Sequence, residues 1–257
     1  MFDIILKQAE LLPQLGGIWI AFLLVFSRVL AFVSVAPLIG HKSIPSLVKI
    51  GFASLLTLLL FPNIQAPPVI PVGYKFVYAI AMNACIGLII GWVAGLVIEI
   101  LKTAGEIINM EMALHAATLF DPGSQAQTTI IGKFFDMLAL VLFISIGGVE
   151  KIIEGLHKSF TVFPVILFEI NLNVPKLIAA TAEIITMGFL LISPIMMVLL
   201  LMDLILGLMS RAAPQINAFQ VSFSIKPSLG LILLLLILPA LFPILVNILS
   251  NPMKFFY

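Results

Sequence analysis

The stretch EILKTAGEIINMEMALHAATLFDPGSQAQTTIIGKFFD, from Glu99 to Asp136, separates two long apolar blocks, and most of it is too polar to sit in lipid. Within it Glu106, Asn109, Glu111, His115 and Thr118 recur mostly at three- and four-residue spacings, with Ile107, Ile108, Met110, Met112, Leu114, Leu119 and Phe120 between them. That is helical periodicity with a mixed face. Asp121-Pro122-Gly123-Ser124 then breaks the helix, because proline lacks the backbone donor and glycine supplies unusual dihedrals. Thr128 and Thr129 precede a second apolar run. A polar, sharply broken segment inside a membrane protein lines a water-filled cavity or a protein interface, where its backbone groups find partners. The alternative is an extramembrane loop carrying a surface helix.

The membrane reading comes from composition. The chain has 257 residues, 62% hydrophobic and 10% charged, with a mean hydropathy of +1.24. Soluble domains carry roughly 45–50% apolar and about 25% charged residues. A polytopic membrane protein with little soluble mass follows, with no room for a separate catalytic domain. The net charge of +1 leaves no nucleic-acid footprint. The single Cys85 excludes an intramolecular disulfide and reads as a small buried hydrophobe. The N-terminus does not look like a cleaved signal: Asp3 and Glu10 flank Lys7, and the apolar run that follows is too long for an h-region.

Working outward, Ile18 to Ile39 is long enough to span a hydrocarbon core of roughly 30 Å. Arg28 sits near its middle, too far from either end to snorkel easily, so it calls for a protein or water partner. Asp203 or a neighbouring subunit is a candidate partner. Pro37, Gly40, His41, Lys42 and Pro45 form a turn, then Leu47 to Phe61 makes a shorter run. Pro62 to Pro71 is a stiff connector. Phe76 to Ile98 carries no charge and places Gly87, Gly91 and Gly95 at strict four-residue spacing. A doubled GxxxG lets another helix approach backbone to backbone.

Beyond the central stretch, Ile130 to Val149 is apolar apart from Lys133 and Asp136. Glu150 to Phe160 reads as a short amphipathic helix, with Glu154 and Lys158 paired at i, i+4, suited to an interface. Leu177 to Met209 is the longest block, carrying Glu183, Asp203 and Pro194, where a kink is expected. Met209 to Asn217 is a polar turn. Ser228 to Ser250 is the last block, and Phe255-Phe256-Tyr257 with Lys254 suits an interface anchor. With six spans, Lys7, Lys75, Lys151, Lys158, Lys176 and Lys254 fall on one side, and Lys42, Lys49, Lys102, Lys133, Arg211 and Lys226 on the other. The positive-inside rule therefore returns a tie.

No HExxH, Walker, GxSxG or CxxC pattern occurs. Glu111 and His115 share a helix face but are too few for a metal site, so no metal and no cofactor are expected. Arg28, Glu183 and Asp203 keep open a stand-alone secondary transporter, although no inverted repeat is visible.

Four separated matches, in order, identify a resemblance to the FliR/SctT family of export-gate proteins over nearly the whole chain. Arg28, Pro37, Gly40, Pro45 and Lys49 match its opening pattern. Ala104-Gly105, Met110 and Leu114 to Pro122 match its central segment, and Ser159-Phe160 with Pro164 its fourth loop. The most specific is MSRAAPQINAFQVSF, Met209 to Phe223. There are departures: Glu106 and Glu111 stand where the family usually has glutamine, and Asn109 and Ala113 where glycine is common.

The resemblance implies an all-α polytopic helical membrane protein with broken helices, residues 1–257 forming one domain of FliP/FliQ-like helical hairpins. It implies a non-enzymatic subunit of the flagellar type III export gate in the bacterial inner membrane and flagellar basal body, passing unfolded export substrates. The implied partners are FliP, FliQ and FlhB. An injectisome SctT subunit is the alternative. The central segment corresponds to the family's plug loop, which makes Met110, Glu111, Met112, Leu114, His115, Leu119, Phe120, Asp121 and Pro122 the expected gate. Gly87, Gly91 and Gly95 are expected to pack helices. Arg28, Asp203, Arg211, Pro214, Gln215 and Asn217 are expected to serve assembly.

Overall fold

The structure is a computed structural model that describes residues 2–41, 43–64, 71, 73–114, 129–166, 174–215 and 217–250. Among these residues every regular element is a helix, in the order α1 (Phe2–Val35), α2 (Ser46–Leu60) with a 3-10 turn (Phe61–Asn63), α3 (Tyr74–Glu111), α4 (Ile130–Ser145), α5 (Gly148–Val162), α6 (Val174–Ala212) and α7 (Ala218–Ser250). Five of them contain stretches long and apolar enough to cross a membrane, or up to six spans if α4 and α5 count as one bent pair. The chain is an all-α polytopic membrane protein.

The helix ends follow local chemistry. Helix α1 stops at Val35, one residue before the pre-proline position Ala36, because the residue before a proline is pushed out of the α region. Helix α4 starts at a true N-cap: the Thr129 hydroxyl accepts from the Gly132 N–H at 3.1 Å. Asn217 does the same for α7, its Oδ1 accepting from the Gln220 N–H at 3.3 Å. Helix α6 runs unbroken through Pro194. That proline cannot donate to the Leu190 carbonyl, and the Ser193 hydroxyl donates to it instead, at 2.9 Å.

One boundary differs from the sequence reading. The apolar block ending at Ile98 and the polar helix after it are a single 38-residue helix, α3. No Pro or paired Gly interrupts residues 96–104, and Lys102 Nζ pairs with Glu99 Oε1 at 2.9 Å, which makes the polar turn tolerable. At 1.5 Å per residue such a helix is about 57 Å long, far more than the roughly 30 Å of a hydrocarbon core.

The chain divides into two compact units, Met1–Gly95 with Glu150–Val174, and Leu96–Val149 with Pro175–Tyr257. In the first, α1 packs on α2 and on the first half of α3. Its core includes Leu24, Val25, Val29, Phe32, Val33, Ile86, Ile90 and, from α5, Ile152, Leu156 and Phe160. The amphipathic face of α5 is thus spent on a protein core rather than laid on lipid, while Glu154 and Lys158 pair outside at 2.6 Å. In the second unit, the end of α3 packs closely on α4, and α4 on α7. Many large apolar side chains face outward, among them Leu58, Leu59, Leu201, Leu204, Leu235 and Leu236, as a lipid or subunit neighbour requires.

Candidate functional site

The first unit is built around one buried cation. Arg28 on α1 has no exposed surface. Its Nε and Nη2 both donate to Asn83 Oδ1 on α3, at 3.0 and 2.7 Å. Its Nη1 donates to the Ser159 carbonyl at 3.0 Å, with the Ser159 hydroxyl at 3.4 Å. Nη2 also reaches the Pro164 carbonyl at 3.5 Å. The Phe160 ring covers the guanidinium, its centroid 4.3 Å from Cζ. Asn83 is itself held, its Nδ2 donating to the carbonyls of Ala79 and Val165, both at 2.8 Å.

Among the described residues, every acceptor around Arg28 is neutral. One of them belongs to the end of a helix. Ser159 lies in the last turn of α5, at the negative end of the helix dipole, and its carbonyl oxygen accepts both from Arg28 and from the Phe163 N–H, the latter at 2.9 Å. Arg28 therefore ties the last turn of α5 and the bend that follows it to α1. The guanidinium presents five N–H groups in a fixed fork, which a lysine lacks. Asp203 is not part of this cluster; it forms an ion pair with Lys226 of α7. Glu183 is exposed.

Two glycines bring α1 and α3 close enough for these bonds. A β-carbon on Gly87 would overlap the Arg28 carbonyl oxygen, and one on Gly91 would lie 2.8 Å from the Phe32 carbonyl oxygen. Gly95 differs: its nearest neighbour, the Val35 carbonyl oxygen, is at 3.9 Å, an ordinary contact. The helix facing these glycines is α1 of the same chain.

The second cluster is the end of α3. Met110 is exposed, Glu111 and Leu114 are half-buried, and Met112 is fully buried. Ala113 follows in the left-handed region at φ 59° and donates to the Met110 carbonyl at 3.0 Å. Met112 lies against Gly230 of α7, where a β-carbon would meet its side chain. Two turns earlier, Gly105 lets α4 approach: a β-carbon there would lie 2.8 Å from the Ile131 carbonyl oxygen. His115, Leu119, Phe120, Asp121 and Pro122 lie outside the described residues. Of the polar turn, Arg211 is in the last turn of α6, Pro214 and Gln215 follow its end at Ala212, and Asn217 caps α7.

Sequence reasoning singled out Arg28 but missed Asn83. The signal was there: one asparagine in an uncharged apolar block, a turn before Gly87. The remaining acceptors are backbone carbonyls, which no side-chain pattern announces. Among the described residues, no group of three or more His, Cys, Asp or Glu is placed to hold a metal.

Comparison with known proteins gives a consistent result. The model of the bacterial export proteins, family 1, matches residues 19–251. The chain is 30% identical over 234 residues to the flagellar biosynthetic protein FliR of Bacillus subtilis, covering 90% of each chain. It is 32% identical over 225 residues to the FliR of Aquifex aeolicus, covering 86% of each. The surface presentation of antigens protein SpaR of Shigella sonnei is 30% identical over 162 residues, covering 63% of each chain.

Proposed function

The chain belongs to the bacterial export proteins, family 1, and we propose that it is a structural channel and gate subunit of the flagellar type III protein export apparatus. It is needed for flagellum assembly and for passage of unfolded subunits. The observation that carries this reading is likeness to flagellar relatives along about nine-tenths of the chain, 90% in the Bacillus subtilis case. The shorter match to SpaR, 63% of the chain, favours the flagellar branch over an injectisome one. A stand-alone transporter is disfavoured, because Arg28 is saturated by neutral acceptors and Asp203 is paired with Lys226.

In this reading the whole chain, residues 1–257, works as one membrane-embedded domain in the bacterial inner membrane, within the flagellar basal body. Its helices form hairpins of the FliP and FliQ kind, and it assembles with FliP, FliQ and FlhB. No catalysis, metal or cofactor belongs to it. Arg211, Pro214, Gln215 and Asn217 serve assembly, as do Arg28 and Asp203 through the packing of their own units. The gate begins at Met110 and runs through Glu111, Met112 and Leu114 to His115, Leu119, Phe120, Asp121 and Pro122. Apolar side chains in such a segment close a narrow lumen by dewetting.

The test is co-purification. A tagged chain, expressed with FliP and FliQ in its own host, should bring both down in mild detergent, and its deletion should abolish motility. Recovery of the chain as a lone oligomer, with motility intact in the deletion strain, would overturn the reading.

A further inference from the structure

We propose that a water-filled cavity in the first unit solvates the buried charge of Arg28 from one side. The cavity measures about 280 Å³ and is walled by the C-terminal half of α5, the bend after it and the end of the 3-10 turn that follows α2. Asn63, His157 and Thr161 give it polar groups, and Ile64, Phe160 and Val165 apolar ones. The polar groups point to water. His157 Nδ1 is buried and has no hydrogen-bond partner among the described residues. A buried nitrogen left unpaired is costly. An acyl chain or an apolar side chain in the cavity would leave it so, whereas water pairs it. Thr161 keeps its lone pairs, since its hydroxyl donates to the Lys158 carbonyl at 2.6 Å. The Pro164 carbonyl takes only a 3.5 Å contact from Arg28. A buried water needs about 2–4 polar partners and ~30 Å³ of liquid volume, and this cavity offers both.

The cavity shares its walls with the Arg28 cluster. Phe160, whose ring covers the guanidinium, lines it. So do Pro164, whose carbonyl Arg28 reaches, and Val165, whose carbonyl holds Asn83. Neutral acceptors fill the fork of Arg28 but do not cancel its charge. The cost of the remaining charge falls as its surroundings become more polarisable. Charges in membrane-spanning segments accordingly face protein partners or water-filled cavities. A pool of water beside Phe160 supplies that response without an acidic residue. His157 is then a positioning residue for the water and makes no bond to Arg28 itself.

The experiment is thiol labelling of the purified full-length protein, with Cys85→Ala, in lipid nanodiscs that leave both faces open to solvent. Val165 is 4% exposed and lines the cavity, while Val33 is 0% exposed in the core of the same unit. Val165→Cys should react with iodoacetamide about tenfold faster than Val33→Cys, because a thiol facing water ionises and one in apolar surroundings does not. Ile64→Cys, on another wall, gives the same reading if Val165→Cys fails to accumulate. Labelling by a lipid-soluble maleimide alone would mean that hydrocarbon fills the cavity. Labelling as slow as that of Val33→Cys would mean that protein closes it. Either result overturns the proposal. Melting temperature gives an independent reading through His157→Phe, which keeps a ring and removes Nδ1. If water pairs that nitrogen, the melting temperature falls; if the nitrogen is unpaired, its removal raises it. An unchanged or raised value overturns the proposal. The fall should be smaller when Arg28→Leu and Asn83→Leu are also present, since no charge is then left to solvate. An equal fall would sever the cavity from Arg28 and overturn the proposal as well.

Discussion

At the scale of single residues, Arg28 shows how a charge survives in an apolar helix without a counter-ion. Its fork is filled by Asn83, by the Ser159 and Pro164 carbonyls and by the face of Phe160. Removing one side of such a cluster leaves buried groups unsatisfied, while removing both is milder. Arg28→Leu should therefore destabilise the protein by about 2–4 kcal/mol, and Arg28→Leu with Asn83→Leu by clearly less than the sum of the single changes. Arg28→Lys should recover only part, since an ammonium cannot reproduce the bidentate contact with Asn83. Thermal unfolding of the purified variants in detergent measures this; strict additivity would mean the two side chains are not coupled. Ala113 offers the opposite sign. A left-handed alanine costs roughly 1–2 kcal/mol, which glycine avoids at some entropic cost in the unfolded chain. Ala113→Gly should raise stability by about 0.5–1 kcal/mol, read as a higher melting temperature.

At the scale of elements, the GxxxG series is unequal in a way that spacing alone does not reveal. Gly87 and Gly91 touch the backbone of α1, while Gly95 stands at ordinary contact distance. Helices so close cannot separate without losing the Arg28–Asn83 bonds. Gly87→Ala and Gly91→Ala should each cost about 1–3 kcal/mol, and Gly95→Ala should be nearly neutral. Comparing the membrane levels and melting points of the three variants decides it; equal losses would contradict the geometry. Helix α5 shows the same dependence on partners. Its amphipathic pattern was plain in the sequence, yet its apolar side is in the core of the first unit, where Arg28 also hydrogen-bonds its last turn.

At the scale of the whole molecule, the proposed gate is a segment whose start, at the end of α3, packs on α4 and α7. Deleting Leu114 to Gly123 should leave Met112, Ala113 and the α4 cap at Thr129 intact, so the subunit should still assemble. The expected outcome is raised sodium or small-molecule permeability in cells making the whole gate, with normal complex yield. Normal yield without added leak would place the seal in another subunit.

The sequence alone determined that this is a helical membrane protein, because apolar runs of spanning length and a charged fraction of 10% admit no other class. It also determined the family, through four ordered matches, and the importance of Arg28, because a central charge in such a run demands an explanation. Only the tertiary structure decided what that explanation is. The acceptors of Arg28 are an asparagine from α3 and the carbonyl end of α5, residues 55 and 131 positions away in the chain. Backbone carbonyls are present at every position, so only the fold determines which of them Arg28 can reach. The same holds for α3, where Glu99 looked like a boundary and is the middle of a helix, and for Met112, whose burial is set by an absent β-carbon on a distant helix.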